Sequence, residues 1–268
     1  MPQVDSKHAQ RFQELVNQPI DEQCEFFLKS FIFALGDDWP EVVKLSTSFK
    51  KYIADASTST AFQGQLDEAQ AADFLQKNGR TRTATQRRDE IRDIDLDFNK
   101  HIAFLEYLLL HYKHMILQEY YKRHTELDAP KEHLENFAIG VTGVGYALLE
   151  ELFTMPEGMN EELEKAISEF YAAKRERENK LKDLEVKSHG EGVGALRAKN
   201  ELAQMEAQDQ TETNKLEMTL NAAKRKAMKH SGSEALAQKK KQQEEEEKKK
   251  LMEGRQKMKE RSALWEQK

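Results

Sequence analysis

A twelve-residue run between two helix-forming segments constrains the fold of this chain more than any other feature. Oxygen-bearing residues recur in it at positions one, three, five and twelve, which are Asp95, Asp97, Asn99 and Glu106. Ca²⁺ prefers about six to eight oxygen ligands, and a loop with this spacing supplies most of them, including the backbone carbonyl of His101 at position seven. The pattern is typical of the calcium-binding loop of an EF-hand.

The sequences on both sides of the loop predict helices. Thr83–Arg92 has a helix-forming composition, and the segment from Phe104 to about Tyr121 carries a broad apolar face. Helix, acidic loop and helix therefore follow one another in the order that an EF-hand requires.

EF-hands normally occur in pairs, and a second loop frame lies upstream at Ser59–Gln70. Gly64 falls at its sixth position, where the loop turns sharply, and Leu66 falls at the eighth, as Ile102 does in the first loop. The chelating positions lack an acidic cage. They hold Ser59, Ala61, Gln63 and Gln70. We predict an EF-hand that keeps its shape without a metal; the alternative is an ordinary polar loop.

Two residues of the first loop depart from the usual pattern. Lys100 occupies the sixth position, where glycine normally takes a positive φ, and a side chain there costs roughly 1 kcal/mol. Ala103 leaves the ninth position without a side chain to orient a water molecule. We therefore expect calcium affinity toward the micromolar end of the sensor range, about 10⁻⁷–10⁻⁵ M.

The composition predicts an all-α protein. The 268 residues include only 5 prolines and 12 glycines, and no useful stretch alternates between apolar and polar residues. A net charge of −6 with many charges of both signs argues against a general nucleic-acid binder. We expect no secretory signal and no membrane span, since no segment approaches the roughly 20 apolar residues required. The single cysteine, Cys24, fits a reducing cytosol and a place in the core.

Changes in composition divide the chain into four segments. We predict an EF-hand-pair domain at 1–127, a connecting helix at 128–159, a helical hairpin at 160–230 and a charged C-terminal helix at 231–268. The hairpin consists of two long amphipathic helices that fold back antiparallel, in the manner of a coiled coil, across the glycine-rich corner 190–194.

Several motifs that suggest other functions have simpler interpretations. The run Gly140–Gly145 lacks the strand and the lysine of a phosphate-binding loop, so close helix contact explains its glycines better. His111 and His114 lie one helical turn apart with Glu119 nearby, and we interpret them as a surface pair rather than a Zn²⁺ site. Without a nucleophile–base set or a metal-hydrolase motif, we do not expect an enzyme.

The chain resembles the calcium-regulated actin-bundling proteins of amoeboid protists. The resemblance covers roughly residues 8–210 and is sharpest at Asp95–Leu109, with a weaker part at Gly192–Leu196 and Asn200–Met205. It implies a protein that cross-links F-actin as a single chain through more than one surface, and whose bundling is weakened by Ca²⁺. It also implies that the strongest actin contact lies in the C-terminal helical half, which we place at about 161–229. Contacts beyond residue 230 are not implied, because we predict a charged helix for the tail rather than a loose segment of small residues.

Basic residues on the predicted hairpin suit an acidic actin surface through contacts that salt would screen. The candidates are Lys174, Arg175, Arg177, Lys180, Lys182, Lys224, Arg225, Lys226 and Lys229. We expect a cytoplasmic, cytoskeleton-associated protein that binds neither nucleic acid nor membrane; a monomer fits best, with the oligomeric state open. The alternative is a calcium-responsive coiled-coil scaffold or adaptor of the cytoskeleton that does not bind actin.

Overall fold

The computed structural model describes residues 6–55, 62–155, 159–205, 207 and 214–229. As predicted, the chain is predominantly helical. Its helices are α1 (Ser6–Val16), α2 (Ile20–Leu35), α3 (Trp39–Asp55), α4 (Glu68–Asn78), α5 (Ala84–Ile94), α6 (Phe104–His111), α7 (Lys113–Arg123), α8 (Lys131–Leu134), α9 (Gly145–Thr154) and α10 (Glu161–Ser188). Two short strands, β1 (Leu66–Asp67) and β2 (His101–Ile102), pair with each other, and residues 193–205 and 214–229 are also helical.

Some predictions concern residues outside the described part of the chain. These are the charged C-terminal helix at 231–268 and positions Ser59 and Ala61 of the second loop. The described residues up to 220 form one compact unit, and those from 221 belong to another. None of the described helices combines the length and the apolar character needed to cross a membrane.

Helix α2 lies at the centre of the first unit. Pro19 precedes it and Gly36, with φ +58°, ends it, so its bounds follow directly from the sequence. It packs against α1, α3, α6, α7, α9 and α10. Phe27 and Ile32 are completely buried, and burying such a side chain contributes about 1.5–3 kcal/mol. A helix that is apolar on several faces can bury all of these faces only when it lies at the centre of the fold.

Aromatic side chains join the helices around α3. Phe49 lies with its ring centroid 4.9 Å from Phe104 of α6 and 5.2 Å from Phe74 of α4. Trp39 is fully buried and meets Phe170 of α10 edge-on at 5.5 Å. These rings are all buried and form part of the core.

Helix α10 belongs to this same core. Its N-cap is Asn160, whose side-chain oxygen accepts hydrogen bonds from two backbone amides of the first turn. Tyr171 is completely buried, and its hydroxyl lies 2.7 Å from Cys24 Sγ of α2. The segments predicted as an EF-hand-pair domain and as the first hairpin helix therefore pack against each other. Periodicity identified the apolar face of α10 but could not identify its partner.

Two stretches predicted as continuous helices are interrupted. The helix expected from Phe104 to about Tyr121 breaks at Tyr112, which separates α6 from α7. The connecting helix expected at 128–159 is wrong as a single helix, since only α8 and α9 are helical there, with a 3₁₀ turn at Asn136–Ala138. Gly140 and Gly143 take φ values of +81° and +80°, which a right-handed helix does not accommodate.

Candidate functional site

The acidic loop lies between α5 and α6. Thr83 caps α5 in a reciprocal arrangement with Gln86, and the helix ends at Ile94, directly before the loop. Strands β1 and β2 pair antiparallel with Leu66 opposite Ile102, which is the register that the two loop frames predict. The second frame also has its predicted turn, since Gly64 takes a φ of +85°.

Three carboxylates converge within the first loop. Oxygens of Asp95, Asp97 and Glu106 lie within 4.8 Å of one another. In the part of the chain that the structure describes, no other group of three or more histidine, cysteine, aspartate or glutamate side chains is arranged to hold a metal ion. His111 and His114 therefore do not form such a group. Both histidines are half-buried.

Backbone amides orient the side chains of the loop. Asp95 Oδ2 accepts a hydrogen bond from Lys100 N at 3.1 Å, and Asp97 Oδ1 accepts one from Asn99 N at 3.1 Å. Asn99 Oδ1 accepts one from His101 N at 2.6 Å. An oxygen with one donor keeps a lone pair for a further ligand. Within the described residues, Asp95 Oδ1 is buried without a hydrogen-bond partner.

Glu106 is the most buried of these carboxylates. Its side chain is fully enclosed, and its two oxygens accept hydrogen bonds from Leu96 N at 3.0 Å and Ala103 N at 2.9 Å. Burial raises the pKa of Glu106 well above its usual value, and the charges of Asp97 and Asp95 raise it further. Burial, together with the charge of Asp95, likewise raises the pKa of Asp97.

The chemistry of this donor set fits a hard divalent cation. All the side-chain groups that converge offer carboxylate oxygens, which are the ligands that such a cation prefers. Lys100 takes the left-handed φ of +62° expected at its position, but its side chain is exposed to solvent. The turn at this position is therefore made without a glycine.

Two of the predicted actin-binding residues contact the core helices. Lys174 Nζ donates to Asp21 Oδ1 at 2.9 Å, and Arg175 donates to Glu25 at 3.2 Å. Lys50 of α3 bridges Asp21, at 2.5 Å, and Glu178, at 2.9 Å. Although burial opposes the effect, Lys50 and Lys174 lower the pKa of Asp21. These ion pairs fasten α10 to α2 and α3.

The remaining basic candidates differ in accessibility. Arg177 donates to the carbonyl of Met205 at 2.6 Å, which brings residue 205 beside the middle of α10. Lys180 pairs with Glu176 on the same exposed face at 2.7 Å. Lys224 is buried. The exposed candidates are Lys180, Lys182, Arg225, Lys226 and Lys229. The structure does not test their role in binding, so it stays a prediction.

A buried charged cluster beside the loop was not predicted. Glu90 Oε2 lies 2.8 Å from Arg82 Nε and 3.6 Å from Lys113 Nζ, and all three side chains are almost completely enclosed. Glu90 also accepts a hydrogen bond from Gly140 N. Burial lowers the pKa of Lys113, against the charge of Glu90. No local spacing reveals this cluster, because its members come from separate elements; the one signal is that Lys113 interrupts an apolar helix.

Comparisons with known proteins give a family match and a similar solved structure. The sequence model of the family described as F actin bundling C terminal matches residues 114–260, which is more than half of the chain. Among solved structures, the crystal structure of the 34 kDa F-actin bundling protein from Dictyostelium discoideum is similar. It shows 19% sequence identity and a TM-score of 0.40, and the match covers 87% of this chain and 92% of that chain. No curated protein matches.

Proposed function

This chain belongs to the F-actin bundling family, and on that premise we propose that it cross-links actin filaments and that Ca²⁺ bound at Asp95–Glu106 reduces the cross-linking. The observation that carries the bundling activity is the family match over residues 114–260. The calcium part rests on the three converging carboxylates, which lie outside that match.

The first loop is proposed as the metal site of an EF-hand pair, with Ser59–Gln70 as its degenerate partner. Asp95, Asp97, Asn99 and Glu106 would hold the ion through side-chain oxygens, together with the carbonyl of His101. A calcium ion supplies two positive charges to carboxylates whose pKa values are raised by burial and by one another. The pairing of Leu66 with Ile102 supports this assignment, since paired loops join at their eighth positions.

Helix α10 and the helical residues after it are proposed to form the hairpin that binds actin. The hydrogen bond from Arg177 to the carbonyl of Met205 supports a chain that runs back antiparallel to α10. The exposed Lys182, Arg225, Lys226 and Lys229 offer charge to an acidic filament surface. Lys174 and Arg175 contribute instead to the packing of α10, and would bind a filament only after their internal ion pairs open.

Calcium sensitivity is proposed to arise at the helix that leaves the loop. Glu106 lies in the first turn of α6, and its carboxylate holds the backbone at both Leu96 and Ala103. A change in this carboxylate therefore shifts the start of α6, which packs on α2. Because α10 packs on α2 as well, the shift reaches the candidate actin-binding helix.

Sedimentation with actin filaments tests the activity. We expect the full chain to pellet filaments at low speed when calcium is chelated, and to pellet less when calcium is present. A scaffold that does not bind actin would leave filaments in the low-speed supernatant and would not join the high-speed pellet. Lys182→Glu should weaken pelleting at unchanged thermal stability, because Lys182 is exposed.

The Glu106→Gln variant tests the calcium part separately. Replacing the buried carboxylate should abolish the difference in bundling between calcium and chelator, whatever the level of bundling in chelator. Asp89→Asn serves as the matched control, since Asp89 is an exposed acid on α5 outside the loop. Bundling by Glu106→Gln that stays as calcium-sensitive as in the wild type would refute the proposed site.

A further inference from the structure

The glycine-rich segment Gly140–Gly145 lies against the helix that enters the acidic loop. We infer that this segment couples the loop to α9, with Asp93 and Gly145 as the positioning residues. The inference rests on the proposed calcium site and names a route by which that site acts on the rest of the fold.

The first contact is a carboxylate at the end of α5. Asp93 accepts hydrogen bonds from Gly143 N at 2.7 Å and from Val144 N at 3.2 Å. Val144 is the N-cap of α9, and the amides at a helix start lack partners within the helix. The helix that leads to Asp95 therefore supplies hydrogen-bond acceptors at the start of α9.

The second contact explains why residue 145 is glycine. A Cβ atom on Gly145 would lie 2.3 Å from Asp93 O and 2.9 Å from Leu96 Cδ2. Leu96 is the second residue of the acidic loop and is buried. Gly145, the first residue of α9, thus packs directly on Asp93 and Leu96. Any side chain larger than hydrogen at position 145 would push α9 away from these two residues.

The other end of the segment is fixed as well. Gly140 N donates to the buried Glu90, and Lys113 Nζ of α7 donates to Val141 O at 2.6 Å. The segment is therefore attached to α5 at both of its ends and to α7 near its start. Helix α5 cannot move relative to the loop without displacing this segment.

Helix α9 extends the route into the core. Ser30 Oγ of α2 donates to Leu152 O near the end of α9 at 2.8 Å. By thermodynamic linkage, a contact that fixes the start of the loop also favours ion binding by the same factor as ion binding favours the contact. Breaking the contact between Gly145 and Leu96 should therefore weaken calcium binding, although neither residue offers a side-chain ligand.

Calorimetric titration of the full chain with calcium chloride tests this coupling. Gly145→Ala adds one methyl group and changes no charge, and we expect it to weaken calcium binding about fivefold or more, the lower range of measured couplings. Gly194→Ala is the matched control, because a Cβ there meets no atom within 4 Å. Calcium binding by Gly145→Ala that is unchanged or tighter overturns the inference.

Hydrogen exchange gives a second measurement that does not depend on actin. Calcium should slow exchange at the amides of Gly143 and Val144 in the wild type, and this response should be lost in Asp93→Ala. Asp89→Ala removes the same charge from the same helix and should keep the response. This pair decides the question if Gly145→Ala does not fold, and a response retained in Asp93→Ala overturns the coupling.

The two proposals fail in distinguishable ways. A wild-type chain that takes up no calcium overturns the proposed metal site and, with it, the coupling. A wild-type chain that binds calcium, with Gly145→Ala binding equally well, overturns the coupling alone.

Discussion

Replacement of Glu90 by alanine should unfold this protein at a markedly lower temperature. The Glu90 carboxylate lies 2.8 Å from Arg82 and 3.6 Å from Lys113, in a cluster that is almost closed to solvent. Removing it leaves two buried cations without that carboxylate and Gly140 N without its acceptor. Breaking a buried ion pair in this way costs about 3–5 kcal/mol. For a unit of this size the loss corresponds to roughly 6–20 °C in Tm.

Thermal and urea denaturation of the full chain measure this loss. Asp89→Ala on the same helix is the matched control, and we expect a change within about 0.5 kcal/mol because Asp89 is exposed. Replacing the whole cluster, with Glu90→Leu, Arg82→Met and Lys113→Met together, should restore most of the stability, since apolar side chains of similar volume remove the unpaired charges. A Glu90→Ala variant that loses less than about 1 kcal/mol would show that the cluster is not enclosed as described.

Two further predictions concern single residues. Lys100→Gly should raise the free energy of unfolding by about 1 kcal/mol in chelator, because Lys100 holds a φ of +62°; a lower Tm would contradict this. Burial, with the charges of Arg82 and Arg80, lowers the pKa of His111 from 6.5 to about 4. The unfolded chain therefore takes up the proton first, and stability falls between pH 6.5 and pH 4 by up to about 3 kcal/mol. Between pH 7.5 and pH 5, His111→Gln should lose less free energy of unfolding than the wild type, as measured by urea denaturation at each pH. An equal loss in both proteins would contradict the lowered pKa of His111.

Several features were predictable because they depend on short spacings. The bounds of α2 follow from Pro19 and Gly36, and the N-cap of α10 follows from Asn160 ahead of an acidic first turn. The register of β1 with β2 follows from the two loop frames, since a twelve-residue loop fixes the place of its strand. The same spacing predicted which three carboxylates meet.

Features that depend on contacts between distant segments were not predictable. The helical pattern in the sequence continued across Tyr112, but the helix is interrupted there. Helices α6 and α7 each pack against α2. The sequence predicted that Lys174 and Arg175 belong to a basic surface that binds actin. In the structure they pair with Asp21 and Glu25 of α2 instead. Close packing explains Gly145, although the sequence did not identify α5 as its neighbour, whereas Gly143 takes a positive φ with no atom near its Cβ position.

The sequence by itself determined that the chain is helical and which oxygens can converge on an ion, because backbone preference and loop spacing act over a few residues. Only the tertiary structure decided which charges lie on the surface and which pair inside the protein. A charge is neutralised by whatever lies within a few ångströms in space, and Glu90, Arg82 and Lys113 become neighbours only once α5 and α7 have packed together.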